Sequence, residues 1–179
     1  PACCLWFAID YDNNLWVYRE LYTQKITADV FARKVIDLEH GEYIRYGVLD
    51  ASTWARRGDI GPSIAETMIQ AGCRWRPSDR TGRSRISGKL EIHKRLKVED
   101  KEPGIRIFSN CRNLLRTFPT LPLDDSNPED INTHVEDHAY DALRYGCMSR
   151  PMHTSYANKA FSNSNRTANF VPSDKIFGY

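Results

Sequence analysis

The sequence predicts an α/β domain in which helices cover both faces of a mixed β-sheet. Segments rich in β-branched and aromatic residues alternate along the chain with segments whose apolar residues have helical spacing. The 179 residues suffice for one domain with its own core, and 41% hydrophobic with 27% charged residues is typical of a soluble globular protein. We therefore expect one domain over residues 1–150 and an extended tail over 151–179, where Ser and Asn are frequent.

A β-hairpin is predicted to begin the domain. Residues 5–9 and 15–22 favour strands because they are rich in aromatic and β-branched types. Residues 10–14 between them favour a turn, since Asn and Asp tolerate left-handed backbone. A helix capped by Thr27 follows, with apolar residues at helical spacing as far as Leu38, and a strand over residues 43–49 then ends at Asp50.

The middle of the chain predicts a second helix with clear ends. Ser63 opens it after Gly61 and Pro62, and Gly72 closes it in the C′ position. A short strand near Trp75 is predicted next. Beyond it we expect a helix over 87–96, a strand over 105–108 and a helix over 110–117.

A basic segment occupies the middle third of the chain, although the formal net charge is only +2. Such a segment attracts polyanions, of which nucleic acid is the commonest; the alternative is a solvated helix face. For DNA contact we favour Arg80, Arg83, Arg85 and Lys89, with Arg56 and Arg57 as further possibilities. Nine basic residues and only two acids lie in it: Arg74, Arg76, Arg80, Arg83, Arg85, Lys89, Lys94, Arg95 and Lys97 against Asp79 and Glu91.

The last predicted helix, over residues 133–147, carries the residues of greatest chemical interest. Thr133 and a Glu three residues later have the spacing of a capping box. Asp137, His138 and Asp141 project from neighbouring positions of one helix face. Two carboxylates at this spacing repel each other, whereas a bound cation would make the pairing favourable.

Asp50 is the expected partner of this helix face, because ligand groups in α/β sheets gather at strand ends. Carboxylates suit Mg²⁺, and an added imidazole broadens the choice to Mn²⁺. The residues also allow simpler arrangements. Asp50 could cap the turn at Ser52 or Thr53, and His138 and Asp141 could pair with each other or with Arg144 in a solvent-facing charged stripe.

Four features in one order make the chain resemble the nuclease domain of the large terminase subunit of tailed bacteriophages, which has a ribonuclease H-like fold. They are the hairpin ending Tyr18-Arg19-Glu20, the strand end Leu49-Asp50, the run over 61–72 beginning Gly-Pro-Ser-Ile-Ala-Glu, and the sequence Glu-Asp-His-Ala-Tyr-Asp-Ala-Leu-Arg-Tyr over 136–145. The resemblance spans roughly residues 1–148. It implies a ribonuclease H-like mixed sheet for the domain over residues 1–150.

The resemblance implies an endonuclease that cuts concatemeric double-stranded viral DNA with two Mg²⁺ or Mn²⁺ ions. Asp50 matches the second acidic ligand of the family, Asp141 matches the last one, and His138 matches the histidine three residues before it, with Asp137 nearby. The implied partners are double-stranded DNA, an ATPase domain upstream in the same subunit, the small terminase subunit and the portal. The implied location is the host cell cytoplasm.

The family pattern is incomplete in one respect. Its first acidic ligand lies on a strand before the hairpin, which here would fall upstream of Pro1, so we expect this chain alone to bind metal weakly. No phosphate-binding G-x-x-x-x-G-K-[ST] motif is present, and Ser87-Gly88-Lys89-Leu90 is not one.

Two other functions fit the same residues. One is another ribonuclease H-like phosphotransferase, such as a resolvase or transposase core. The other is a nucleic-acid-binding module without catalysis, in which the acids are structural. No apolar run approaches the roughly 20 residues of a membrane span, so no membrane partner is expected. The five scattered cysteines contain no C-x-x-C pair and are expected to be reduced thiols.

Overall fold

The computed structural model describes residues 1–56, 61–81, 84–98 and 102–152. It begins with the predicted hairpin, in which β1 (Ala2–Ile9) pairs antiparallel with β2 (Leu15–Thr23). The Asp10 carboxylate organises the turn by accepting the backbone N–H groups of Asp12 and Asn14. Asn13 has a φ of +63°, the left-handed backbone that the composition of the turn predicts.

The strands form two small sheets. β5 (Ile105–Ile107) lies parallel to β2 on the edge opposite β1, which gives a mixed three-stranded sheet. β3 (Gly47–Leu49) pairs in parallel with β4 (Trp75–Pro77) in a separate two-stranded sheet. Within the described residues β1 and β3 therefore each keep one edge without a strand partner.

Five α-helices and two short 3₁₀ turns complete the described fold. The 3₁₀ turns are Ala51–Trp54 and Phe118–Thr120. The helices are α1 (Ala28–Leu38), α2 (Ile64–Gln70), α3 (Ser84–Leu96), α4 (Arg112–Thr117) and α5 (His138–Ser149).

Helices pack on both faces of the hairpin because its strands alternate their side chains between two cores. On one face, Trp6 of β1 packs with Val35 of α1 and Met68 of α2. On the other face, Val17 of β2 packs with residues of α3, α4 and α5, among them Leu143. The coarse prediction, an α/β domain with a mixed sheet flanked by helices on both faces, is confirmed for the three-stranded sheet.

α5 connects the two sheets. It packs against β1 and also contacts β3. The approach to β1 is close, since a Cβ atom on Gly146 would lie 2.3 Å from the Phe7 ring. α5 therefore fixes the position of the end of β3 relative to the hairpin.

Several predicted element boundaries are wrong. β1 begins at Ala2 rather than at residue 5. β3 begins at Gly47 rather than at residue 43, because β4 offers only three pairing residues. α3 begins at Ser84, three residues before the predicted start. α5 begins at His138 rather than at Thr133, because the Glu136 carboxylate that would complete a capping box instead accepts hydrogen bonds from Arg116 and Tyr22.

No helix among the described residues is both long enough and apolar enough to cross a membrane. All five cysteines are free thiols, as predicted, and four of them are buried. The predicted tail lies almost entirely outside the described residues, which end at Met152.

Candidate functional site

Asp50 lies where β3 ends and the first 3₁₀ turn begins. Its Oδ1 accepts the backbone N–H of Ser52 at 2.7 Å, so the predicted alternative in which Asp50 caps the following turn is realised. Its Oδ2 accepts the phenol O–H of Tyr145 on α5 at 3.1 Å. One carboxylate oxygen thus fixes the local turn, and the other connects β3 to the last helix.

The Asp50 carboxylate is held in its ionised form. Partial burial raises its pKa, but hydrogen bonds from Ser52 and Tyr145 and the nearby charge of Arg144 outweigh burial, and the net pKa is lowered. Asp50 is therefore an anion at neutral pH.

The predicted face of α5 is present at the N-terminus of that helix. Asp137 is the N-cap residue, His138 is the first helical residue, and Asp141 lies in the first turn. The backbone N–H of Asp141 donates to the carbonyl of Asp137 at 2.8 Å, which fixes the two acids one turn apart. The i, i+4 relation inferred from the sequence is therefore correct although the helix begins later than predicted.

Asp141 is paired with Arg144 on its own helix. Nε and Nη2 of Arg144 donate to Asp141 Oδ1 at 3.0 and 2.8 Å. The predicted alternative of an Asp141–Arg144 pair is therefore realised. Arg144 is almost fully buried whereas Asp141 is partly exposed, so salt screens this ion pair less than it would a pair on the surface.

Asp137 has the least favourable environment of the predicted acids. It is 8% exposed and makes no side-chain hydrogen bond at the helix N-terminus. Burial and the charge of Asp141 raise its pKa. His138 Nδ1 lies 3.8 Å from Asp137 Oδ1, which is a proximity of charges rather than a hydrogen bond.

Tyr145 and Arg144 join Asp50 to Asp141. The Arg144 guanidinium lies 4.4 Å from the centroid of the Tyr145 ring. Burial raises the Tyr145 pKa, and the charges of Asp141 and Asp50 raise it further, so the phenol remains protonated and able to donate. The four side chains form one continuous array, Asp50–Tyr145–Arg144–Asp141.

Tyr145 was not among the residues singled out from the sequence. Its spacing from Asp141 is the same i, i+4 relation that relates Asp141 to Asp137, so the helical face could have included it. Its contact with Asp50 had no comparable sequence indication, because the two residues are 95 positions apart.

The predicted metal ligands do not form one ligand cluster in the described structure. Among the described residues, no group of three or more His, Cys, Asp and Glu side chains is arranged to hold a metal ion. Asp50 accepts a hydrogen bond from Tyr145, and Asp141 accepts two from the neighbouring Arg144. The positive charge beside Asp141 is therefore the Arg144 guanidinium. The carboxylate and imidazole donors of the predicted ligands suit a divalent ion, but such an ion would have to compete with the Arg144 guanidinium for Asp141.

The predicted DNA-contacting cations that the structure describes have partners within the protein. Arg80 donates to the carbonyl of Ala51, directly after Asp50. Arg85 forms an ion pair with Asp130 at 2.9 Å, and Lys89 donates to backbone carbonyls in the same loop. Of the other candidates, Arg56 pairs with Glu66, whereas Arg83 and Arg57 lie outside the described residues.

Chemically, the array presents ionised carboxylates beside a buried guanidinium and a protonated phenol. Such a surface can bind a cation through its acids and an anion through Arg144. Comparison with known proteins gives no match, whether with family models, curated proteins or solved structures.

Proposed function

We propose that this chain is a metal-dependent endonuclease domain with a ribonuclease H-like fold, of the kind found in the large terminase subunit of tailed bacteriophages. One observation carries the proposal: the Tyr145–Asp50 hydrogen bond brings the strand-end acid to the helix that bears Asp137, His138 and Asp141. The strand-end acid thus contacts the helix that bears the other predicted site residues, although the two elements are far apart in the sequence.

The arrangement of the strands supports the finer fold proposal. A ribonuclease H-like sheet requires an antiparallel hairpin followed by parallel strands, with a further strand joining the two parts. β1 and β3 each have a free edge in the described structure, and α5 packs against both strands. A strand between these edges would unite the two small sheets into one.

The proposed cofactor is Mg²⁺ or Mn²⁺, with Asp50, Asp141, His138 and Asp137 as candidate ligands. When bound, such ions polarise the phosphodiester and acidify water. The residues of the chain itself set the conditions for this. Tyr145 and Ser52 fix the orientation of the Asp50 carboxylate, and Arg144 offsets the charge of Asp141. Because Arg144 already neutralises Asp141, we expect metal binding to be weak.

Cleavage of linear duplex DNA in Mn²⁺ tests the proposal. If the natural polypeptide extends upstream of Pro1, the longer polypeptide is used. Asp50→Asn and Asp141→Asn should abolish cleavage while leaving DNA binding in EDTA intact. Asp37→Asn, at an exposed position of α1 away from the array, is the matched control and should cut normally. Absence of divalent-dependent cleavage by the unaltered protein would overturn the proposal.

A non-catalytic nucleic-acid-binding module is the second candidate function. It is favoured by the Arg144–Asp141 pair and by the absence of a three-ligand group among the described residues. The same assay separates the two, because a binding module retains DNA in EDTA and never cuts it. A resolvase or transposase core is distinguished by its substrate, since it would cut four-way junctions or join strands in preference to cutting linear duplex.

The partners that the proposed function requires are also proposals. They are double-stranded DNA, an upstream ATPase domain in the same subunit, the small terminase subunit and the portal. The proposed place of action is the cytoplasm of the host cell. A pull-down of the ATPase-containing subunit with the portal, with and without this domain, tests the assembly.

A further inference from the structure

A cavity of about 230 Å³ lies on the side of α5 next to the Asp50 array. Val48 of β3, together with β4, the loop after β4 and the first residue of α3, forms one wall, and the second half of α5 forms the other. Tyr145 lines this cavity and also donates to Asp50, so the cavity begins one side chain away from the strand-end acid. The polar side chains that line it are Arg76, Ser78, Asp79, Ser84, Arg144, Tyr145 and Ser149.

Hydrogen-bond donors predominate among these side chains. Ser78 Oγ accepts the N–H of Ala51 at 3.0 Å, which leaves its own O–H free to donate. Both oxygens of Asp79, the one acid in the lining, are engaged by the backbone and hydroxyl of Thr81. The Asp79 carboxylate thus has its hydrogen-bond partners within the loop, whereas the Ser78 hydroxyl can donate a hydrogen bond to a ligand.

The two arginines make the cavity suitable for an anion. Arg76 is exposed, and its guanidinium lies 3.6 Å from the centroid of the Tyr46 ring, which fixes the side chain without consuming its N–H donors. No carboxylate among the described residues forms an ion pair with Arg76. Arg144 uses Nε and Nη2 for Asp141 and retains Nη1. A guanidinium fork can bind a phosphate group through two parallel hydrogen bonds.

We propose that this cavity binds one backbone phosphate of a nucleic acid strand, next to the position at which Asp50 acts. The proposal rests on the proposed function only in taking the phosphate to belong to DNA. Arg76 contacts that phosphate directly, with the Ser78 hydroxyl and Arg144 as further donors. A phosphate held there fixes the register of the strand relative to the strand-end acid, as backbone contacts do in protein–DNA interfaces.

DNA binding is measured by fluorescence anisotropy with a duplex oligonucleotide in EDTA over a range of salt concentrations. Each phosphate contact contributes about 0.9 to the slope of log K against log salt. Arg76→Gln should therefore lower the slope by about 0.9 and weaken binding about fivefold near 0.15 M salt. Arg76→Lys, which keeps the charge but loses the fork, should retain most of the slope.

Arg74→Gln is the matched control. It makes the same change of charge two residues earlier, but that side chain lines a different cavity, beside Glu39 and Trp75. The slope should stay unchanged. Equal slopes for the Arg74→Gln and Arg76→Gln variants, or absence of DNA binding by the unaltered protein, would overturn the proposal.

Inorganic phosphate is the second probe. Its binding is monitored through the NMR chemical shifts of the backbone amides of Ser78 and Ser84. Shifts with phosphate that disappear in Arg76→Gln support the cavity as a phosphate site, and unperturbed signals contradict it. Since all these measurements are made without divalent ions, failure of cleavage does not affect them. Conversely, if the cavity does not bind phosphate, the cleavage assay of the Asp50→Asn and Asp141→Asn variants still tests the proposed function.

Discussion

The phenol of Tyr145 donates to Asp50 Oδ2 across 3.1 Å, and this bond joins the end of β3 to the middle of α5. Both partners are only partly exposed. Tyr145 also lies beside Arg144, which binds Asp141, so the orientation of one acid is coupled to that of the other. A substitution of Tyr145 should therefore change the properties of the Asp50 carboxylate more than those of other groups.

Tyr145→Phe removes this bond while preserving the ring. The pKa of Asp50 is lowered partly by the lost donor, so it should rise toward its ordinary value. A hydrogen bond of this kind contributes about 1 kcal/mol to the free energy of unfolding. Carboxyl NMR titration and urea denaturation measure the two effects. Tyr43→Phe, at a tyrosine that is 82% exposed, is the control. If both variants behave alike, the Tyr145–Asp50 bond has no influence in solution.

Local sequence patterns predicted the parts of the fold that depend on neighbours in the chain. Ser63 and Glu66 form the reciprocal capping box of α2, and Gly72 has the positive φ expected of a residue closing a helix. The same pattern at Thr133 failed, because Glu136 binds Tyr22 across 114 positions instead. A capping motif predicts a helix only where no tertiary partner competes for its carboxylate.

In the candidate site, too, the features set by local sequence were predicted and those set by tertiary contacts were not. The relation between Asp137 and Asp141 follows from helical spacing and is present in the structure. The roles of Tyr145 and Arg144 depend on how α5 meets β3, which no local pattern contains. The parallel pairing of β5 with β2 is likewise a long-range contact, joining residue 15 to residue 105.

Glu66 should make the stability of the protein depend on pH in the acid range. A hydrogen bond from Arg56 and the backbone N–H of Ser63 lower the pKa of Glu66 to about 2. Because the folded-state pKa is depressed, the stabilisation is complete above the ordinary value of 4.5. It is lost as the pH falls from 4.5 to about 2.

Glu66→Gln keeps an acceptor for the capping box but removes the charge. The variant should be less stable than the unaltered protein at pH 7, and the two unfolding free energies should converge near pH 2. Thermal or urea unfolding across this range measures the difference. Glu129→Gln, at an exposed loop glutamate, should follow the unaltered protein at every pH. A Glu66→Gln difference that does not vary with pH would show that the ion pair contributes nothing.

Gly88 of α3 provides the space that Arg144 occupies. A Cβ atom at this position would lie 2.4 Å from Arg144 Cγ and 2.8 Å from Cδ. Gly→Ala in a helix favours folding by about 1 kcal/mol through backbone entropy. Overpacking costs about 1–3 kcal/mol, and Arg144 cannot retreat easily because it is buried and holds Asp141. The steric cost should therefore exceed the entropic gain.

We expect Gly88→Ala to lower the free energy of unfolding by up to about 2 kcal/mol. Ser87→Ala, at the exposed neighbouring position, should be neutral or slightly stabilising. Urea denaturation of both variants measures the comparison. A Gly88→Ala protein as stable as the Ser87→Ala protein would mean that Arg144 moves without cost and that its pairing with Asp141 is not tightly constrained.

Arg95 is a fully buried cation that joins three loops to α3. Its Nη1 donates to the carbonyls of Asn13 and Gly104, and its Nη2 donates to that of Arg150. Glu91, one turn earlier, lies 3.2 Å from Arg95 Nε and supplies the opposite charge. The guanidinium thereby fixes the hairpin turn, the start of β5 and the end of α5 against one another.

Arg95→Met should be the most destabilising of these substitutions. Methionine fills much of the space, but Glu91 is left as a buried charge without its partner, at a cost of about 3–5 kcal/mol. Adding Glu91→Gln should recover part of the loss, because it removes the unpaired charge. Lys94→Met, at the exposed neighbouring residue, should change the unfolding free energy by less than about 0.5 kcal/mol. If Arg95→Met and Lys94→Met unfold at the same urea concentration, the buried arginine does not hold these loops together.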